Sequence, residues 1–538
     1  FVLVGVGAAL ALGTVLVGSP VRPAVVLAVA PVAAAAVAFI VNLPWSATLL
    51  GSEGWTSVVG APVSTARSLG GSVLARFALG TGSLTTLALV LYLPLVAAPL
   101  VARRWRFAWA VRAAALGAVF GALAVLDDRA ALPFRLPEPG VLLVPVAIAI
   151  AVAAGCIAAA FEADVLRGSF GWRQPLGVLS AVAVVVGVVP GIAAVAGGRW
   201  NTPELTLQRV YTEFAADPVD GDYRVLWVGD PAALPVAGWT YQPGIAYAIT
   251  DDGPLTVEEH WSGRPGAAEG AVARALQQMA GGVTLRGGRL LAAYGICYVV
   301  VPLADGFNGT ADEPLLPPAG LTDVLDDQLD LSSPLLAPPN YVIYENAAYA
   351  PVRATLTEAG AAASRLAGDE AAVIADLRGA TPFAIGAPAV GPASGDVGAG
   401  TLHVAVPFGS AWTLTVDGVG VPARRAFGTT TAFDVEAAGA ARLEYDTPLT
   451  RSLWLLVQLA GWIALAVLAT RWRPADVWRR RRRRTGLLDT TTVADLSMAL
   501  PPGAALPSGT AASEAFDRDV FANDADAAFR GVGDGRGD

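Results

Sequence analysis

The chain has 538 residues, 54% of them hydrophobic and only 15% charged, with a mean hydropathy of +0.54 and a formal net charge of −9 at pH 7. Soluble globular domains carry about a quarter charged residues, so this composition excludes an ordinary soluble protein, and the acidic balance argues against a nucleic-acid partner. Every basic residue is arginine, which excludes chemistry that needs an amine, such as a P-loop lysine, a Schiff base or a Ser–Lys dyad.

In chain order, apolar runs long enough to span a bilayer occur at about 1–18, 24–43, 84–101, 108–125, 141–161, 177–196 and 453–470. Pro31, Pro94 and Pro190 fall inside them, as membrane helices tolerate when neighbours satisfy the freed carbonyl. The opening run "FVLVGVGAALALGTVLVGSP" lacks the basic front and cleavage site of a signal peptide. It reads as the downstream part of a longer protein. Cys156 lies in an apolar run and Cys297 in a strand-like one, so no disulfide or zinc framework is expected.

Arginines set the expected orientation. Arg22, the group Arg103, Arg104 and Arg106, and the pair Arg167 and Arg173 all fall on one side if seven helices alternate. The six consecutive arginines Arg479–Arg484 after the last span fall on that side too. Carrying six through the bilayer would cost roughly 15–20 kcal/mol at about 2.5–3.5 kcal/mol each. Residues 471–538 are therefore expected in the cytoplasm and 197–452 outside it. The arginine run reads as a stop-transfer anchor touching anionic lipid, and the Ala/Gly/Asp/Thr-rich tail beyond it as disordered.

The segment 197–349 mixes elements. "YRVLWVGDP" (223–231) predicts a buried strand and "AEGAVARALQQMAGG" (268–282) an amphipathic helix with a glycine stop. "LLAAYGICYVVVP" (290–302) reads as a helix end and a buried strand, "LTDVLDDQLDL" (321–331) as a second helix and "NYVIYEN" (340–346) as another strand. Together these predict an α/β domain. Over 350–452, "TLHVAVPF", "AWTLTVDG", "TAFDVEA" and "ARLEYDTP" alternate with period two between glycine and proline turns, the pattern of a small β-sandwich. The expected fold is thus a polytopic α-helical membrane protein with about seven transmembrane helices, an extracytoplasmic α/β plus β-sandwich region and a disordered cytoplasmic tail.

The order of spans, then "RVLWVGDPAALPVAGWTY", "AAYGICYVVVP", "YVIYENAAYAPVRA" and "AWTLTVDGVGVP", then a last span and a basic tail, resembles the C-terminal half of large actinobacterial envelope proteins of the family 2 glycosyltransferase type. The later motifs also resemble the YfhO-like membrane proteins. The first resemblance implies a cytoplasmic nucleotide-sugar domain ahead of the membrane region. No D-x-D metal motif precedes the spans here, so that domain would lie upstream of Phe1. The implied partners are the lipid bilayer, a lipid-linked or nucleotide-activated sugar, a glycan acceptor and other envelope-assembly proteins. The implied setting is the cell membrane. An alternative is a non-catalytic scaffold or export partner whose outer domain binds glycan. A third reading is a transferase that uses lipid-linked sugars and carries its own carboxylate.

Such a carboxylate would sit in an outer loop beside the membrane, where it deprotonates the acceptor or holds a divalent metal against phosphate. Asp127 and Asp128 in "VLDDRAALPF" and Glu53 in the first outer loop are eligible; the same residues also fit solvated loop charges. No metal ligand set is identifiable. Trp45 and Trp55 fit sugar stacking or interfacial anchoring. In "HWSGRPG", His260, Trp261 and Arg264 fit phosphate or uronate binding or a charged surface turn.

Overall fold

The computed structural model describes residues 2–59, 69–79, 84–162, 171–196, 198, 221–256, 259–261, 263–304, 314–333, 340–366, 372, 374–386, 391–409 and 411–471. Arg167, the arginine run and the tail expected to be disordered lie outside these residues, as do the side chains of Glu53 and Trp261.

The membrane part begins with α1 (Val2–Leu16) and α2 (Val21–Val41). After α3 (Ser52–Val59) come α4 (Thr85–Val90), α5 (Leu93–Val101), α6 (Trp105–Asp128), α7 (Pro139–Ala160), α8 (Arg173–Gly187) and α9 (Val189–Ala196). Among the described residues, five helical stretches are long and apolar enough to cross a membrane: α2, α6, α7, the α8–α9 pair and a final helix at Leu449–Arg471. The first and third expected spans are shorter. The α1 helix has 15 residues, about 22 Å at 1.5 Å per residue against a hydrocarbon core of about 30 Å. Residues 84–101 are broken at Leu91–Tyr92 into α4 and α5.

Small residues let these helices approach closely. A Cβ on Gly7 of α1 would lie 2.5 Å from the Leu27 carbonyl oxygen of α2, and one on Gly117 of α6 would meet Leu95 of α5 at 2.6 Å. The bundle core gathers Leu95, Leu116, Phe120, Leu142, Leu143 and Ile150. Apolar side chains such as Val25, Val29, Val144, Ile148 and Val185 stay exposed, as a lipid-facing surface requires.

The sheet-bearing part, called the outer part after the side on which the sequence is expected to place it, holds β1 (Arg224–Gly229), β2 (Trp239–Gln242), β3 (Ile245–Asp251), α10 (Ala267–Ala280), α11 (Gly287–Ala292) and β4 (Ile296–Pro302). There follow α12 (Leu321–Asp326), β5 (Leu331–Ser332) and β6 (Tyr341–Asn346). The six strands form a mixed sheet in the order β2-β3-β1-β4-β6-β5, with β1 and β4 parallel. Alternation along β1 sends Leu226 and Val228 to a face shared with α10 and α11 and Val225 and Trp227 to the other. Both faces are covered, so β1 and β4 read as continuous apolar runs. The helix expected across 321–331 ends at Asp326, because Gln328 and Asp330 turn inward: Gln328 Oε1 accepts the Gly287 amide, and the two Asp330 carboxylate oxygens accept the amides of Gly288 and Arg289.

The remaining elements are β7 (Arg353–Thr355), α13 (Glu358–Ser364), β8 (Thr381–Pro382), β9 (Ala393–Val397) and β10 (Gly400–Pro407). They continue with β11 (Trp412–Val416), β12 (Val419–Val421), β13 (Ala423–Ala426), β14 (Thr430–Val435), β15 (Gly439–Tyr445) and α14 (Leu449–Arg471). A five-stranded sheet β13-β14-β10-β7-β8 faces a four-stranded sheet β12-β11-β15-β9 across Leu402, Val404, Phe433, Leu414 and Leu443. The opposite face of the five-stranded sheet is buried as well: Ala426 and Ala432 belong to the core that contains Leu226 and Leu291. Residues 1–461 form one unit. Within it, Gln458 of α14 donates to the Asn42 side-chain oxygen just after α2, at 3.0 Å.

Candidate functional site

Two carboxylates at the C-terminal end of α6 run against the helix dipole, an arrangement that costs about 0.3–1 kcal/mol each. Backbone amides offset it. Asp127 Oδ1 accepts the Leu136 amide at 2.7 Å, and Asp128 Oδ2 accepts the Gly70 amide at 2.7 Å. The helix then closes through Ala130, whose φ of 48° is left-handed. The Ala130 amide reaches the Asp127 carbonyl at 2.8 Å and the Ala131 amide the Leu126 carbonyl at 2.9 Å, a cap normally built on glycine. An alanine held there is strained by about 1 kcal/mol. Ala130→Gly is therefore expected to raise stability by about 0.5–1 kcal/mol, read as a higher thermal midpoint of the full chain in detergent.

The loop that follows, "RAALPFRLPE" (129–138), carries Pro133 and Pro137, which restrict its backbone. It is clamped at two adjacent points. Trp55 Nε1 of α3 donates to the Arg135 carbonyl at 2.6 Å, and Asp127 holds the Leu136 amide. Leu136 is buried in the bundle core. The outer domain approaches over Asp230–Ala237, just past β1. Asp230 is buried and its Oδ1 accepts the Ala232 amide at 2.8 Å, forming the turn.

These elements enclose a cavity of about 660 Å³. Its polar lining residues include Asp127, Asp128, Arg76, Arg135, Glu138, Asp230 and His260, and its apolar ones include Trp55, Val58, Phe134 and Val141. Burial lowers the pKa of the Arg135 guanidinium, and Asp127, Glu138 and Asp230 facing it oppose that shift. The group stays charged, since arginine does not deprotonate in proteins. Among the described residues no group of three or more His, Cys, Asp or Glu side chains could hold a metal ion.

Of the residues singled out in the sequence, Asp127, Asp128, Trp55 and His260 line this one cavity. Trp45, half exposed in a short helical turn at Trp45–Thr48, is not among its lining residues. Arg264 is exposed, and its guanidinium donates to the Leu50 carbonyl, tethering the outer domain to the first outer loop. The backbone of Glu53 lies in α3 and that of Trp261 in a turn at Glu259–Trp261. Sequence reasoning passed over Arg76, Arg135, Glu138 and Asp230. For Arg135 and Glu138 the available signal was proximity: both lie in the short loop that directly follows Asp127 and Asp128.

No family model matches the chain, and searches of curated proteins and solved structures find no match.

Proposed function

We propose that the chain is the membrane-embedded part of a glycosyltransferase in the assembly of cell-envelope polysaccharide or lipid-linked glycan, and that a lipid-carried sugar is transferred in the cavity at the end of α6. The observation that carries this reading is the cavity itself, lined by carboxylates, cations and exposed apolar side chains together, at the end of a membrane-length helix. The Asp127 carboxylate has one oxygen anchored, and Oδ2 has no hydrogen-bond partner among the described residues. A carboxylate fixed in this way can take the proton of an acceptor hydroxyl. The acceptor oxygen then bonds to the sugar's anomeric carbon as the bond from that carbon to the carrier's phosphate oxygen breaks, and the carrier phosphate leaves with the electron pair.

The charge bias of the loops supports the cell membrane as the location, with the outer domain outside the cytoplasm. Arg103, Arg104 and Arg106 lie at the start of α6, and the cavity lies at the other end of this 24-residue helix. One feature favours a second reading, a glycan-binding scaffold: both aspartates already serve the fold by holding backbone amides.

Asp127→Asn separates the two readings. Asparagine keeps an oxygen for the Leu136 amide but cannot accept the acceptor's proton. Sugar transfer by membranes containing the full chain is expected to fall at least 100-fold, with the protein inserted at its normal level. Undiminished transfer would sink the catalytic reading and leave the scaffold.

A further inference from the structure

Arg135 holds an unusual position for a charged residue. Its backbone is pinned on both sides by side chains from two other helices, at its own carbonyl by Trp55 and at the next amide by Asp127. Its side chain is half-buried in the cavity wall. Yet the guanidinium makes no hydrogen bond and no ion pair with any described residue. Asp127, Glu138 and Asp230 act on it only through space. Removing a cation from water without a contact partner is costly, and arginine's planar fork suits a bidentate anion. The backbone clamps fix where that fork starts before any ligand arrives.

Part of the cavity lining is apolar. Phe134 is 52% exposed, Val141 47% and Val58 38%, and all three line the same cavity. Val141 lies in the first turn of the membrane-length helix α7. A cavity lined by both a cation unpaired among the described residues and exposed apolar side chains, one of them in the first turn of a membrane-length helix, fits a ligand with an anionic head and a hydrocarbon arm.

We infer that Arg135 is the phosphate-binding residue of this cavity, that its ligand is the phosphate ester of a long-chain lipid, and that Trp55 is a positioning residue which acts through the Arg135 carbonyl. The inference rests on the proposed reading of the cavity as a lipid-carrier site, but it is tested by binding and not by transfer. It also assigns Trp55 a different task from stacking on a sugar.

The full chain in detergent is titrated with farnesyl phosphate, with farnesol and inorganic phosphate as the separate halves of the ligand. Farnesyl phosphate is expected to bind at least 10-fold more tightly than either half. Arg135→Gln should weaken it at least 10-fold and leave farnesol binding unchanged. Trp55→Phe, which keeps an aromatic ring but loses the indole N–H and some bulk in the cavity lining, should weaken farnesyl phosphate by a larger factor than farnesol. Equal affinity of wild type and Arg135→Gln for farnesyl phosphate overturns the assignment. Inorganic phosphate binding as tightly as farnesyl phosphate overturns the lipid arm. Loss of transfer in Asp127→Asn with intact farnesyl phosphate binding to Arg135→Gln would overturn this inference and leave the catalytic reading standing.

Discussion

Truncating Arg353 to alanine is expected to destabilise the outer part by about 3–5 kcal/mol, the range for stranding one partner of a buried ion pair. Arg353 in β7 is 0% exposed at its side chain and pairs with Asp222, which is 6% exposed. Asp222 precedes β1, and its second oxygen accepts the Gly386 amide at 3.0 Å. Its carbonyl accepts the Val352 amide at 2.9 Å and the Tyr349 hydroxyl at 2.7 Å. The pair therefore ties the entry of the mixed sheet to the five-stranded sheet. Alanine removes the cation and leaves the carboxylate buried with one amide for company. The double change Arg353→Met with Asp222→Asn removes both charges, so it should recover much of the loss. Hydrogen exchange of β1 and β7 amides in the full chain reads both outcomes. Protection unchanged in Arg353→Ala would show that the pair is not a structural tie.

Acid should loosen the outer part through His403. This side chain is fully buried on the face of β10 opposite Leu402 and Val404, edge-on to Phe427 with ring centroids 5.5 Å apart. Thr430 Oγ1 donates to the Ala426 carbonyl at 3.0 Å, so it must accept from His403 Nε2–H across the 2.9 Å contact between them. That places the proton on Nε2 and leaves Nδ1 without a hydrogen-bond partner among the described residues. Burial first, and the nearby Arg424 and Arg224 second, push the His403 pKa down to about 3. The unfolded chain titrates near 6.5, so between these values the unfolded state binds the extra proton. Stability is thus full above about pH 6.5 and falls by about 1.4 kcal/mol per pH unit on acidification, reaching a loss of about 5 kcal/mol below pH 3. His403→Gln should flatten that slope. Denaturant titrations of the full chain from pH 7 to pH 4 measure it, and equal slopes in both proteins would rule His403 out as the source.

The strands were legible where burial pattern and local chemistry agree. "YRVLWVGDP", "ICYVVVP" and "NYVIYEN" appear as β1, β4 and β6, and the four alternating runs of 401–448 appear as β10, β11, β14 and β15. Periodicity registers such segments directly. It does not register side chains that turn inward to cap a neighbour, so Gln328 and Asp330 were read into a helix that stops before them. Helix length in the membrane part was over-read for a related reason. Hydropathy counts apolar residues, and α4 and α5 are apolar on both sides of their break at Leu91–Tyr92. Asp127 and Asp128 stood out because acids are rare beside spans. Arg135 did not, because its place depends on Trp55 reaching across from residues about 80 positions earlier in the chain.

The cavity's walls come from distant stretches of chain, 55–59, 76, 127–141, 230–237 and 260, and the Arg264–Leu50 contact closes a loop of 214 residues. Its contents are therefore set in time as well as in space. While the first spans are emerging from the ribosome, the aspartates and Arg135 have no roof. The chamber is finished only when the chain has been made beyond residue 264 and the outer domain has folded back onto the first loop. A chain stopped before residue 230 would lack part of the cavity's lining, and folding defects in the outer domain would alter the cavity without touching a residue in the membrane part.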